Sequence, residues 1–342
     1  MAQENQKPEL PGTQRFSASR RRALRYWLGG LVLLSGVVLF ATHLGDIDRF
    51  AMLLSQVEAA WLLAGFFLQA ATYLCTAAAW HQALTRLGVV YSFLPLVHLS
   101  VAKLYLDQVL PSGGISGTMF MVSAMNRRGV SREQCMSAVM VSLTGYYMAY
   151  VLAVLTTILI LEYYKDLSIW VLTASVFLCA FAVLMPIGIL WLARRGRKPP
   201  AFLARLPGIY FFVEAISRNP GILLRSPVLV AKVTMFAASV FLLDAATLWI
   251  MLRALGQDVS FTVAFPSFVV ASMVMTLGPV PLGLGTFEAA CVTMLGTLGV
   301  QIEAALTSTL LLRGFTMWLP MLPGFWLARR ELSRGPGHGD AN

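Results

Sequence analysis

Residues 110–117 read LPSGGISG and residues 278–285 read GPVPLGLG, and both segments interrupt long apolar sequence with glycine and proline. The similarity between the two regions extends beyond these breaks. Five residues recur 170 positions apart: Pro111, Gly113, Gly129, Val130 and Glu133 in the first copy, and Pro281, Gly283, Gly299, Val300 and Glu303 in the second. Paired hydrophobic segments with corresponding interruptions are typical of transporters with internal repeats, whose binding sites lie at the interruptions. A function is therefore expected first at these two breaks.

The composition is that of a membrane protein. Hydrophobic residues make up 58% of the 342-residue chain and charged residues only 12%. Uncharged runs at 134–161 and 167–193 each exceed the roughly 20 residues that an α-helix needs to cross the hydrocarbon core. We therefore predict an all-α polytopic membrane protein with about six full transmembrane helices, near 26–44, 59–81, 134–161, 168–193, 228–252 and 304–328.

The basic residues are placed as in a membrane protein whose two termini are cytoplasmic. A net charge of +10 is also found in nucleic-acid-binding proteins. Here, however, the arginines cluster beside the apolar runs, as at 15–25, 127–132, 194–198 and 329–334. That placement follows the positive-inside rule, so nucleic acid is not expected as a partner.

The charge pattern also predicts an inverted repeat. Segments 92–126 and 261–299 must each enter and leave the membrane on one side, because a full crossing would reverse the pattern downstream. We therefore predict two re-entrant helical hairpins of opposite orientation. They belong to a single integral membrane domain at 26–330, with repeat halves at about 92–193 and 261–330. A basic tail at 1–25 and a short tail at 331–342 flank it, both cytoplasmic in this topology.

Five ionisable residues lie within apolar segments, where a charge is costly unless it is paired or hydrated. Arg313 is the strongest candidate for substrate binding, with nine uncharged residues before it and fifteen after it. Glu288 follows the second break, and Asp244 lies inside the span at 228–252. Lys103 and Asp107 are four residues apart and share one helix face.

Each of these residues also has a purely structural interpretation, which the sequence leaves open. Lys103 and Asp107 can simply pair with each other. Glu288 can be a cap that complements the helix dipole. Asp244 can be the counter-charge of a buried cation such as Arg313, and Arg313 can belong to an ion pair that has no role in binding.

The glycine-rich breaks offer a way to bind an anion. A helix that starts inside the membrane presents free backbone N–H groups and the positive end of its dipole. Nearby hydroxyls, and the guanidinium of Arg313 with its bidentate geometry, suit a polar, anionic lipid headgroup. The predicted binding residues at the breaks are Ser112, Gly113, Gly114, Ser116, Gly283, Gly285 and Thr286. Alternatively, the glycines serve close helix packing or a turn.

Signatures of enzymes and metal sites are missing from the sequence. It contains no HExxH, GxSxG, P-loop or dinucleotide fingerprint, and its four histidines and four cysteines show no metal-ligand spacing. We therefore predict no catalytic residue, no metal and no cofactor, and the pattern favours a transporter over an enzyme.

Several of these features together resemble a known family. They are PSGGISG at 111–117, PLGLGTFE at 281–288, the Gly-Val pairs at 129–130 and 299–300, Arg313, Pro320 and Pro323. Over about residues 20–330 the chain is similar to the flippase-like proteins, the membrane region of lysylphosphatidylglycerol synthases of the multiple peptide resistance factor group. The resemblance implies a multi-pass protein of the bacterial inner membrane that moves lipids between leaflets. Its implied partners are membrane lipids, with lipid-biosynthesis enzymes as further candidates.

The same resemblance bears on lipid chemistry. Bifunctional members carry a separate soluble aminoacyl-transfer domain after the membrane region. Only a short tail follows Arg330 here, so we expect no lipid aminoacylation by this chain. The leading prediction is a translocase for a lipid with a polar, anionic headgroup. The alternative is a membrane-embedded accessory protein or transferase in lipid, hopanoid or lipid-linked glycan biosynthesis, with Asp107 and Glu133 as its acid–base candidates.

Overall fold

The structure, a computed structural model, describes residues 58–109, 115–163, 226–277 and 283–333, with a few isolated positions between 169 and 180. The predicted span at 26–44, the tail at 1–25 and nearly all of the predicted span at 168–193 lie outside these residues. Three predicted binding residues at the first break also lie outside them: Ser112, Gly113 and Gly114.

All elements of this part of the chain are helices, as predicted. In chain order they are α1 (Ala59–Arg86), α2 (Phe93–Val109), α3 (Ile115–Arg127), α4 (Arg132–Tyr163), α5 (Pro227–Ala254), α6 (Phe261–Leu277), α7 (Thr286–Thr297), α8 (Ile302–Arg313), a π-helical segment (Gly314–Trp318) and α9 (Leu319–Ser333). Because α9 ends at Ser333, the first residues of the predicted tail at 331–342 are helical.

Helices α1, α4 and α5 are long and apolar enough to cross a membrane, with 28, 32 and 28 residues. They contain the predicted spans at 59–81, 134–161 and 228–252. Helix α5 begins with Pro227, whose missing N–H costs nothing at a first helical position. It packs against α1, α4, α6 and α8 and so forms the centre of the described bundle. Its contact with α4 is close at Gly145, where a Cβ atom would lie 2.7 Å from Val233 Cγ1.

The duplicated sequence skeleton corresponds to a duplicated structure. Helices α3 and α7 follow the two breaks. Two residues after the last residue of each helix comes a glycine with a φ of 88°, Gly129 and Gly299 respectively. The next residue closes the turn in the same way: Val130 N–H donates to the Met125 carbonyl at 3.1 Å, and Val300 N–H donates to the Leu295 carbonyl at 3.0 Å. This is the Schellman arrangement, which needs glycine at the left-handed position. The repeat therefore records the same helix ending twice.

The two helix pairs at the breaks are built from short helices. Helices α2 and α3 have 17 and 13 residues, and α6 and α7 have 17 and 12. Each is shorter than the roughly 20 residues that cross a hydrocarbon core. Within each pair the two helices pack against each other. In the described part of the chain, both breaks are thus flanked by helices that are shorter than a typical membrane span.

The predicted last span at 304–328 is helical throughout but not uniform. A π-helical turn, Gly314–Trp318, separates α8 from α9, and Leu319 N–H donates to the Gly314 carbonyl five residues earlier. Pro320 and Pro323 follow directly, and proline removes a backbone donor from the helix. The irregular hydrogen bonding therefore coincides with the prolines and comes immediately after Arg313.

Each helix pair lies in its own apolar core. Buried side chains of α2 and α3 pack with the start of α4 and the end of α9, and they include Leu96, Met121, Met125, Cys135 and Ala328. Buried side chains of α6 and α7 pack with α4, α5 and α8, and they include Leu248, Phe265, Phe268, Phe287 and Leu312. Lipid tails are as apolar as these side chains. Such cores are therefore stabilised by close packing and not by the removal of apolar surface from water.

Candidate functional site

Arg313, the strongest candidate from the sequence, pairs with Glu288. Arg313 ends α8, and Glu288 lies in the first turn of the neighbouring helix α7. Arg313 Nε donates to Glu288 Oε1 at 2.7 Å, and the two side chains are only 12% and 17% exposed. The guanidinium carbon also lies 5.1 Å from the ring centroid of the buried Phe287, within cation–π range. Arg313 is therefore held by a carboxylate and an aromatic face.

Glu288 has a second contact at the start of α7. Its other oxygen, Oε2, accepts a hydrogen bond from Gly285 N–H at 2.7 Å. Gly285 is the N-cap residue and has a φ of 83°, which favours glycine. The Thr286 hydroxyl donates to the Gly283 carbonyl at 3.1 Å in the same turn. The N–H of Gly285 is thus occupied, where the sequence predicted that it would be free for an anion.

The first break has an equivalent arrangement. Lys103 Nζ lies 2.6 Å from Asp107 Oδ2, so the interpretation of these residues as an ion pair is confirmed. Asp107 Oδ1 accepts a hydrogen bond from Gly117 N–H, in the first turn of α3, at 2.8 Å. The Ser116 hydroxyl donates at 3.0 Å to the carbonyl of Leu106, near the end of α2, where carbonyls lack partners within the helix.

In both repeats, therefore, a carboxylate joins a cation to the N-terminus of the helix that follows the break. The residues come from different places, because Lys103 and Asp107 precede the first break whereas Glu288 and Arg313 follow the second. The sequence repeat consequently does not reveal the equivalence. Each carboxylate keeps a backbone N–H partner if its cation is taken by another anion. An anionic ligand can exchange for it on the cation at a reduced cost.

Asp244 lies in a separate polar contact. Its Oδ1 accepts a hydrogen bond from Gln69 Nε2 at 2.9 Å, and the same nitrogen donates to Thr247 Oγ1 at 3.0 Å. Gln69 is buried, and the three residues connect α1 with α5. The described ion pair of Arg313 is with Glu288, so the structure does not support Asp244 as its counter-charge.

Within the described ranges, no group of three or more His, Cys, Asp or Glu side chains is arranged to hold a metal ion. Residues 27–324 match the family model described as the lysylphosphatidylglycerol synthase TM region. The chain belongs to this family. Both breaks and the Arg313–Glu288 pair lie inside the matched region. No curated protein matches the chain.

Family membership and the apolar helices together make the chain a multi-pass membrane protein. The family is a membrane domain related to lysylphosphatidylglycerol synthesis, which points to a lipid-related function. The candidate site of this family member therefore has to be considered in a bilayer, where its buried charges need the partners described above.

One polar network of the protein was not predicted from the sequence. Arg128, in the turn between α3 and α4, donates to the Tyr91 hydroxyl at 2.9 Å and to Glu331 Oε2 at 2.6 Å. Burial raises the pKa of the Tyr91 phenol. The network connects the first helix pair to the end of α9. In the sequence, Arg128 belongs to a basic cluster that indicates topology. The available signal for the network is Glu331, a carboxylate within the other basic cluster, at 329–334.

Neutralising Asp244 while keeping its shape should leave this family member as stable as before or slightly more stable. Asp244→Asn retains an oxygen for the Gln69 amide and removes a partly buried charge that has no ion pair among the described residues. Asp244→Leu removes the acceptor as well and should destabilise by about 1–3 kcal/mol, because the buried Gln69 amide loses a partner. Thermal unfolding in detergent measures both changes. Equal destabilisation by the two variants would contradict the assignment.

Proposed function

We propose that the protein is a lipid translocase of the bacterial inner membrane, which moves a lipid with an anionic headgroup between leaflets. In this proposal both termini are cytoplasmic, and the two short helix pairs are re-entrant hairpins of opposite orientation. Support comes from the lengths of α2, α3, α6 and α7, each below that of a spanning helix. Breaks at membrane depth require shelter by protein or by a water-filled cavity, which is where a headgroup would travel.

The observation that carries the proposal is the partly buried pair of Arg313 and Glu288 at the N-terminus of α7. A guanidinium has five N–H donors, and a phosphate can bind two of them side by side. Glu288 keeps its hydrogen bond from Gly285 N–H when a phosphate takes its place on Arg313. The ligand-free site is then closed by the carboxylate, and the headgroup opens it by exchange.

The two glycines at the second break provide the backbone freedom for that exchange. Gly283 and Gly285 both have positive φ values, of 62° and 83°. At Gly283 a side chain would also clash with its surroundings, since a Cβ atom would lie 2.1 Å from Met275 Cγ. These residues can change conformation around Glu288 without the steric limits of other residue types. Lys103 and Asp107 would serve the first break in the corresponding way.

Leaflet exchange of labelled lipids in reconstituted liposomes tests the function. Arg313→Gln should slow exchange of anionic lipids about tenfold or more, since charge-assisted hydrogen bonds contribute roughly 1.5–3 kcal/mol each. Arg253→Gln is the matched control, because Arg253 also pairs with a carboxylate, Asp258, but at an exposed position. It should exchange lipids at the normal rate.

Two results would reject the proposal. One is an absence of protein-dependent exchange across a panel of anionic and zwitterionic lipids. The other is full activity of Arg313→Gln at equal amounts of folded protein, judged by size-exclusion chromatography. An altered lipid inventory in a deletion strain, with a missing product rather than changed sidedness, would instead favour a role in lipid biosynthesis.

A further inference from the structure

One backbone carbonyl of the π-helical segment, that of Thr316, lacks the donor that it would have in a regular α-helix. In an α-helix the carbonyl of Thr316 would accept a hydrogen bond from the N–H of residue 320. Residue 320 is proline and has no N–H. An unpaired carbonyl inside a membrane protein costs free energy, so a donor must come from elsewhere.

Gln108 supplies that donor from another helix. Its Nε2 donates to the Thr316 carbonyl at 3.1 Å. Its own Oε1 is buried and has no hydrogen-bond partner among the residues that the structure describes. The side chain therefore satisfies the backbone of the π-helical segment while its acceptor stays unpaired. The Thr316 carbonyl thus gains a hydrogen-bond donor, whereas the Gln108 side chain gains no donor for its own oxygen.

The position of Gln108 connects the two repeats. It is the penultimate residue of α2, directly after Asp107 of the first ion pair, and Thr316 is three residues beyond Arg313 of the second. Helices α2 and α9 are in close contact next to this bond, since a Cβ atom on Gly324 would lie 2.5 Å from Tyr105 Cβ. The end of α2 is thus joined to the segment that follows Arg313 by this hydrogen bond.

We propose that Gln108 is a positioning residue that replaces the donor missing at Pro320 and so fixes the π-helical segment behind Arg313 to the first helix pair. Segments of this kind often occur at functional sites. The effect on transport rests on the proposed function. The effect on the backbone does not, so the two are measured separately.

The test is a double-mutant cycle of Gln108→Leu and Pro320→Ala in nanodiscs, with hydrogen exchange of residues 314–319 as the readout. Gln108→Leu should speed exchange there roughly tenfold, the change expected for one lost hydrogen bond. With alanine at 320 an N–H is restored to the helix, so Gln108→Leu should then change exchange by less than about twofold. Gln301→Leu is the control, because this exposed N-cap side chain makes no capping hydrogen bond.

The outcomes separate a donor role from a packing role. If Gln108→Leu changes exchange by the same factor with proline and with alanine at 320, Gln108 acts only by packing and the proposal is overturned. If the cycle behaves as expected and Gln108→Leu also slows leaflet exchange while Gln301→Leu does not, the positioning role is supported. If lipid exchange is present but insensitive to Gln108→Leu, the positioning role is overturned. If no variant exchanges lipid, the proposed function fails while the backbone assignment stands.

Discussion

Glu288→Ala should destabilise the protein by about 3 kcal/mol, the lower end of the cost of removing one partner from a buried ion pair, because this pair is only partly buried. The substitution leaves the guanidinium of Arg313, only 12% exposed, without its carboxylate. It also removes the acceptor for Gly285 N–H at the start of α7. Glu288→Gln also loses the charge pairing with Arg313. It should nevertheless cost less, because the amide oxygen can still accept the hydrogen bond from Gly285 N–H. Thermal or denaturant unfolding in detergent measures the changes.

The coupling between the two residues gives the sharper result. In the double variant Glu288→Ala with Arg313→Ala, the destabilisation should be clearly smaller than the sum of the single effects, since each single substitution already removes the contact between the two side chains. Asp258→Ala is the matched control, because its ion pair with Arg253 is largely exposed, and exposed pairs contribute little. Additive single effects, or a Glu288→Ala variant as stable as Asp258→Ala, would contradict a buried pair.

Gly117→Ala should disrupt the contact between α2 and α3, with a cost of about 3 kcal/mol or more, at the upper end of overpacking effects. A Cβ atom at this position would lie 2.3 Å from the backbone oxygen of Lys103 and 2.6 Å from Asp107 Oδ1. Because the nearest atom belongs to a helix backbone, it cannot move aside as a side chain can. The added methyl also separates Asp107 from the Gly117 N–H that it accepts from.

Gly296→Ala provides the comparison for this variant. Gly296 lies inside α7, and nothing lies within 4 Å of a Cβ atom placed there. Alanine should stabilise that helix by roughly 0.5–1 kcal/mol relative to glycine. The yield of monodisperse protein and its unfolding temperature measure both changes. Gly117→Ala behaving like Gly296→Ala would contradict the close approach of α2 and α3.

The duplicated skeleton can be read from the sequence because its signals are local. A glycine followed by a buried valine ends a helix in a recognisable way, and Gly129–Val130 and Gly299–Val300 both do so. The apolar lengths of α1, α4 and α5 were equally readable, since span length follows from bilayer thickness. Such features depend on neighbouring residues and not on how distant helices pack.

The partners within the site were harder to predict because packing decides them. The sequence identified both Arg313 and Glu288 but left Asp244 as a rival counter-charge, and only the contact of α7 with α8 distinguishes the two. It placed Lys103 and Asp107 on one helix face with an ion pair as one of two interpretations, but gave no sign that Asp107 also reaches Gly117 across the first break. Gln108 was not identified, because an uncharged amide near the end of an apolar helix has no pattern that names its partner.

The π-helical segment makes the two ends of one continuous helix, α8 to α9, present their side chains to different sides. Arg313 and Glu331 are eighteen residues apart, which is five complete turns of a regular α-helix, so they would point the same way. The wider turn at Gly314–Trp318 acts like a single inserted residue and rotates everything after it by about 100°. Arg313 accordingly contacts α7 of the second repeat, while Glu331 contacts Arg128 of the first. Deleting one residue from this turn would restore a regular helix. Arg313 and Glu331 would then lie on one face, and at most one of them could reach its present partner.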